Sequence, residues 1–298
     1  MKLMVFDVGG TEIKYAVMDE KFNRYDSGYI PTPHDSFEHF SAVIKEIYEA
    51  HRTETDGIAM SLPGFIDTDR GIVLGGSPLR YNWRRPVGPQ LEEICGCPVV
   101  LENDGKAAVM AEFSSGVLQG CSNAAVFVIG TGVGGGLVIN GQIIRGKNFK
   151  AGEFSFVNTE SEKFSELNGY LGTRCSTTAL LTDYKMAKGL EEDIDGREFF
   201  KRLPDDKTAQ NVLDGFAREI AKQIYNLHWL LDLEKVAIGG GISRQPILIE
   251  KINEQLKELI KIHPWPKVAE NTRVEIVQAK YGNDANLIGA FMTYLSRK

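Results

Sequence analysis

A short apolar stretch, Val99 to Leu101, runs into Glu102-Asn103-Asp104-Gly105, and Asp104 is the side chain best placed to move a proton. A carboxylate of ordinary pKa, near ~4, is ionised at neutral pH and can accept a hydroxyl proton as that oxygen attacks phosphorus. Residues just past a strand in an α/β sheet tend to face the ligand crevice. Capping of a helix that starts near Lys106 is compatible with that role.

Three glycine turns supply the complementary chemistry. Gly9-Gly10-Thr11, Gly130-Thr131-Gly132 and Gly239-Gly240-Gly241 each follow an apolar run. Successive backbone amides in such turns form a concave anion site, and a side chain there would hold a phosphate away. Asp7 borders the first turn. It is a candidate ligand for magnesium, directly or through the ion's waters, or else a turn former. Thr11 could donate to a phosphate, and Lys14 could offset its charge or lie solvated on a strand.

The elements that must hold these groups follow from periodicity. Leu3–Phe6 and Tyr15–Met18 read as strands joined by the first turn, and Ala125–Ile129 and Leu137–Ile139 repeat the unit about 120 residues on. Duplicated halves are expected. Helical spacing marks Phe37–Ala50, Ala107–Phe113, a long helix through Val212 and Leu231, Ile247–Ile260 and Asn286–Leu295, with strands at Gly57–Met60, Val99–Leu101, Val236–Ile238 and Val274–Ala279. Residues 70 to 90, rich in Gly and Pro, read as an irregular loop. Alternation of strands and helices predicts an α/β protein with parallel pairing. The expected division is residues 1–115, joined by part of the C-terminal helix 286–298, and a larger unit 116–285.

Composition narrows the function. The 298 residues carry 34 Lys and Arg against 40 Asp and Glu, a net charge of −6, with 43% hydrophobic and 25% charged residues. That is a globular composition, and its negative charge argues against a partner that is nucleic acid or an anionic membrane. The most apolar stretch, Ala124–Ile139, is too short and glycine-rich to span a bilayer, and Asp7 and Gly9 interrupt any leader-like run. Four scattered cysteines make no disulfide framework, which points to the cytoplasm. Cys95-Gly96-Cys97 has no paired cluster, and the five histidines show no metal spacing, so no zinc site is expected. No Walker A pattern occurs, and the G-x-G-x-x-G at Gly130 precedes a strand rather than a helix.

Taken in order, Asp7-Val8-Gly9-Gly10-Thr11, Pro63-Gly64-Phe65-Ile66-Asp67, Glu102-Asn103-Asp104, Ile129–Gly136, Ala151-Gly152-Glu153 and Ile238-Gly239-Gly240-Gly241 resemble the successive motifs of ROK-family sugar kinases. The resemblance spans nearly the whole chain. It implies an actin-like ATPase (ribonuclease H-like) fold, two α/β domains flanking a cleft that takes ATP with magnesium and a sugar. Carried over by position, Asp104 becomes the general base toward a sugar 6-hydroxyl, and Asn103, Glu153, Gly64 and Asn82 become sugar-binding residues. Gly9, Gly10, Thr11, Lys14, Gly130, Thr131 and Gly132 then serve the phosphates, Gly239 and Gly240 lie near the adenosine, and a homodimer is expected.

Departures from the family pattern are informative. Phe154-Ser155-Phe156 stands where many members have Gly-His, the zinc-binding cysteine cluster is missing, and Lys106 replaces a common Asn. The zinc-less Ala-Gly-Glu-Phe form and Tyr281–Ala290 are more similar to bacterial β-glucoside kinases than to glucokinases or N-acetylmannosamine kinases, which remain the alternatives. Phe156 would make the C1 side of the sugar pocket apolar enough for an aglycone. Two other classes are disfavoured: a sugar-sensing repressor, because the phosphate turn begins at Asp7, and a non-catalytic nucleotide-binding scaffold, because Asp104 and Glu153 are retained.

Overall fold

The computed structural model describes residues 1–297, which divide into two compact units. Unit 1 holds Met1–Ser114, Arg145–Ala151 and Asp284–Lys298, and unit 2 holds Ser115–Ile144 and Gly152–Asn283. The return of Arg145–Ala151 to unit 1 has no signature in the periodicity.

In unit 1 the chain runs β1 (Lys2–Val8), β2 (Glu12–Asp19), β3 (Arg24–Pro31), α1 (Phe37–His51), β4 (Ile58–Leu62), β5 (Phe65–Asp67), β6 (Ile72–Gly75), α2 (Val87–Cys95), β7 (Val99–Asn103) and α3 (Asp104–Ser115). Unit 2 follows with β8 (Ala124–Ile129), β9 (Val133–Ile139), β10 (Gln142–Ile144), α4 (Leu171–Arg174), α5 (Thr177–Lys188), α6 (Gly196–Arg202), α7 (Lys207–Leu231), β11 (Lys235–Gly239), α8 (Pro246–Lys261), α9 (Pro266–Ala269) and β12 (Glu275–Gln278). The final helix α10 (Ala285–Leu295) belongs to unit 1.

The sheets have the same plan. Unit 1 orders its strands β3-β2-β1-β4-β7 and unit 2 orders its strands β10-β9-β8-β11-β12, each with two antiparallel pairings followed by two parallel ones. This is the repetition that the two glycine hairpins announce. β1 can be central because Leu3, Met4, Val5 and Phe6 are all buried, an apolar run covered on both faces. Helix α1 starts where Ser36 Oγ accepts the His39 N–H, and Phe37, Phe40, Ile44 and Tyr48 form its buried stripe.

Several elements differ from the periodicity. Helix α7 begins at Lys207, more than a turn before Val212, because Asp206 caps it by accepting from the Thr208 and Ala209 amides. The stretch read as a loop at 70–90 holds β6 and the first turns of α2. Strand β3 went unread because it is an exposed polar edge, RYDSGYIP, with no alternation. No helix among the described residues is long and apolar enough to cross a membrane.

Candidate active site

In unit 1 the candidate residues gather at one edge of the sheet. β1, β4 and β7 are parallel neighbours, and the register aligns Asp7 with Ser61 and Ser61 with Glu102. Adjacent strands lie ~4.8 Å apart, so Asp7 and the end of β7 are separated by roughly 10 Å. This carboxyl edge is where ligands sit in open α/β sheets.

Asp7 is held by long-range partners. Its Oδ1 accepts from Ser61 Oγ at 3.1 Å and from Asn286 Nδ2 at 3.0 Å, the latter reaching from α10. Burial raises its pKa above the ordinary carboxylate range, against the pull of the Asn286 hydrogen bond, the Lys14 charge and the Ser61 hydroxyl. Lys14 faces Asp7 across the hairpin and pairs with Glu12 at 3.7 Å. The turn itself is tight: Gly9 N donates to Glu12 O at 2.9 Å, while Thr32 donates through N to Thr11 O and through Oγ1 to Gly9 O, both at 2.9 Å. Those bonds occupy turn carbonyls, and Gly10 and Thr11 are exposed.

A desolvated carboxylate suits a cation. Magnesium is commonly held by one or two carboxylates plus waters and substrate phosphates, and Asp7 beside an open glycine turn meets that description. Among the described residues no three His, Cys, Asp or Glu side chains converge into a larger metal cluster. The cysteines are all free thiols, with Cys95 and Cys175 buried.

The base candidate lies at the β7–α3 junction. Asp104 is the first residue of α3, and the cap is Asn103, whose Oδ1 accepts the Lys106 N–H at 3.0 Å. The capping role considered for Asp104 therefore falls one residue earlier. Asp104 Oδ1 accepts from Gly105 N at 2.7 Å and Asn103 Nδ2 at 2.9 Å. Asn103 Nδ2 also donates to Gly64 O at 2.9 Å, its backbone N–H goes to Glu102 Oε1 at 3.0 Å, and Lys106 Nζ reaches its Oδ1 at 3.4 Å. Asn103, expected to hold ring hydroxyls, thus has both amide hydrogens and both oxygen lone pairs engaged by protein.

Gly64 is placed by its backbone. Its φ of +106° lies in the region that favours glycine, and a Cβ there would meet Gly75 O at 2.6 Å. Asn82 is only 1% exposed, yet neither its Nδ2 nor its Oδ1 has a hydrogen-bond partner. An unpaired buried amide is costly, so this side chain is poised for a ligand's polar group.

Glu102 and Arg145 complete unit 1's site. Glu102 is 1% exposed, and its Oε2 accepts Arg145 Nε at 3.0 Å and Arg145 Nη2, while Oε1 also accepts Thr68 Oγ1 at 3.1 Å. Neither the pair nor Asn286 carries a local sequence signal that could have revealed it.

In unit 2 the remaining candidates sit on neighbouring parallel strands. Gly239 pairs with Val128 in the β8–β11 ladder, and Gly240 follows with φ +90°. A Cβ at Gly240 would strike Ile129 O, so the second turn packs directly against the end of β8. Gly130 N donates to Gly132 O at 2.9 Å, and space beside Gly130 is open. Ser155 ties the Glu153 segment to this turn: its Oγ accepts from Val133 N and donates to Val133 O, both 3.1 Å. Phe154 fixes the same segment by stacking on Phe127 at 4.3 Å. Thr131 is exposed, Glu153 is half-buried and Phe156 is 61% exposed.

Comparison with known proteins agrees with this geometry. The chain is 28% identical to a beta-glucoside kinase of Listeria monocytogenes, covering 100% of this chain and 99% of that one. It is 31% identical to a glucokinase of Halalkalibacterium halodurans, with 95% and 92% covered. The crystal structure of a ROK family protein from Streptococcus pneumoniae in complex with sucrose superposes with a TM-score of 0.88 at 28% identity, covering 100% of this chain and 99% of that chain. The two matching sheets are those of the actin-like ATPase fold. With the sequence profile of the ROK family also matching residues 4–297, the chain belongs to the ROK family.

Proposed function

We propose that this ATP-dependent carbohydrate kinase phosphorylates the 6-hydroxyl of a glucosyl unit in a β-glucoside such as cellobiose. The observation that carries the reading is Asp104, a carboxylate anchored through one oxygen at the start of α3, on the sheet edge shared with Asp7. Asp104 takes the hydroxyl proton, the sugar oxygen bonds to the γ-phosphorus, and the bond from that phosphorus to the bridging oxygen breaks to leave ADP. Asn82 offers an unpaired donor and acceptor to the sugar, with Glu153 and the Gly64 backbone as further sugar contacts.

The glycine turns at Gly9–Thr11 and Gly130–Gly132 supply backbone amides for the phosphates, and Gly239–Gly240 the surface near adenosine. Magnesium, when bound, supplies neutralising charge at the phosphate oxygens. Asp7 would hold it, and Lys14 adds a fixed positive charge beside the same hairpin. Asp7→Asn is isosteric and keeps an acceptor for Ser61 and Asn286, so only the charge is lost. We expect the magnesium concentration for half-maximal activity to rise about tenfold, with the sugar KM unchanged. A magnesium titration that superposes on wild type would remove Asp7 from this role.

The choice of a β-glucoside rests on the exposed Phe156 ring, an apolar surface for an aglycone, and on the beta-glucoside kinase among the relatives. The test is kcat/KM for cellobiose, glucose and N-acetylmannosamine in an ADP-release assay. Cellobiose should lead by about tenfold or more, the scale of one well-formed apolar contact. Preference for either monosaccharide would sink the assignment and favour a glucokinase or N-acetylmannosamine kinase.

A further inference from the structure

Lys106 is 1% exposed, and no step above uses it. Burying an ammonium is unfavourable unless its hydrogens and charge are engaged, so a lysine in the first turn of a helix, where the backbone dipole also opposes a cation, calls for a compensating role. Its Nζ lies 3.4 Å from Asn103 Oδ1, the same oxygen that caps the Lys106 N–H at 3.0 Å. At the other end of that amide, Nδ2 donates to Asp104 Oδ1 and to Gly64 O, each at 2.9 Å. Cation, amide and carboxylate form one connected line. A positive charge at the amide oxygen polarises the group and strengthens donation from its nitrogen, the cooperative behaviour of hydrogen-bond chains at low dielectric.

The line has a geometric consequence. Asp104 Oδ1 is held by Asn103 Nδ2 and Gly105 N, which fixes the carboxylate plane and gives Oδ2 the proton-accepting task. Asn103 is itself held at every polar side-chain atom, and its backbone N–H is bound to the buried Glu102. We propose that Lys106 is a positioning residue for phosphoryl transfer, acting through the Asn103 amide to orient the Asp104 carboxylate, and that Asn103 serves the base rather than the sugar. The proposal rests on Asp104 being the base and is indifferent to which sugar is the substrate.

The test compares wild type, Lys106→Met and Lys106→Gln with whichever sugar of the panel the wild type phosphorylates fastest. Met fills the space without a donor or charge, and Gln keeps a donor for Asn103 Oδ1. Lys106→Met should lose about 30-fold in kcat with the sugar KM within about threefold, as expected for a misoriented reacting group. Lys106→Gln should recover at least about fivefold of that loss. The proposal is overturned if Lys106→Met keeps kcat within about threefold, or if kcat and KM worsen together and Gln does no better than Met. Should Lys106→Met not fold, Asn103→Ala decides: sugar affinity by calorimetry kept within about threefold while kcat falls supports the positioning role, and affinity lost in proportion overturns it. A wild type that phosphorylates nothing in the panel would instead defeat the kinase reading, before any variant is compared.

Discussion

Asp104→Asn is expected to lower kcat by about 10² to 10⁴ while changing the sugar KM by less than about threefold. The replacement is nearly isosteric. Its Oδ1 can still accept from Gly105 N and Asn103 Nδ2, so the helix start and the loop keep their shape. What disappears is the second oxygen with its charge, and with it the capacity to take the hydroxyl proton as the bond to phosphorus forms. Steady-state kinetics with saturating ATP, alongside calorimetric titration of the sugar, separates the two quantities. Turnover within threefold of wild type would eliminate Asp104 as the base, and the Lys106 proposal with it.

The second large effect is on stability. Arg145→Met should cost about 3 kcal/mol or more, because it strands the Glu102 carboxylate at 1% exposure with only the Thr68 hydroxyl and the Asn103 amide to solvate it. Breaking one side of a buried pair costs more than removing both sides. The double variant Arg145→Met, Glu102→Gln should therefore recover most of the loss, a coupling that two independent surface changes would not show. Denaturant unfolding of the wild type, both singles and the double measures it. A single-variant loss below about 1 kcal/mol would mean that water already reaches the pair. Activity should fall with stability, since Glu102 also holds the Asn103 backbone and Asn103 holds Asp104.

Arg145 further explains why seven residues from the middle of the chain belong to unit 1. Its carbonyl accepts from Ala151 N at 3.2 Å, closing the segment on itself, while its side chain fastens the segment to β7. The next residues, Gly152 and Glu153, are already part of unit 2. A single buried ion pair thus sets where the chain leaves one body for the other.

How much of this was legible in the residues alone depends on the range of the interaction. Glycine hairpins, buried strands and amphipathic helices were readable because their causes are local: φ in the left-handed region at Gly240, an apolar run at Leu3–Phe6, and a periodic stripe in α1. The order of six short motifs along the chain was enough to indicate the ROK family and its fold. Strand β3 and the helices between β10 and α7 escaped, the first because an exposed edge carries no alternation and the others because their buried stripes are short.

The allocation of polar partners belongs to the tertiary structure. Asp7 and Asn286 are 279 residues apart, and Glu102 and Arg145 are 43 apart. No periodicity can pair them, because each bond exists only once particular strands and helices become neighbours. For the same reason the residue names at 82 and 103 are alike while their states are opposite: packing left the Asn82 amide without partners and engaged every polar side-chain atom of Asn103. Backbone preference acts within a few residues and survives in the sequence, whereas hydrogen-bond satisfaction is decided by the complete set of surfaces that folding brings together.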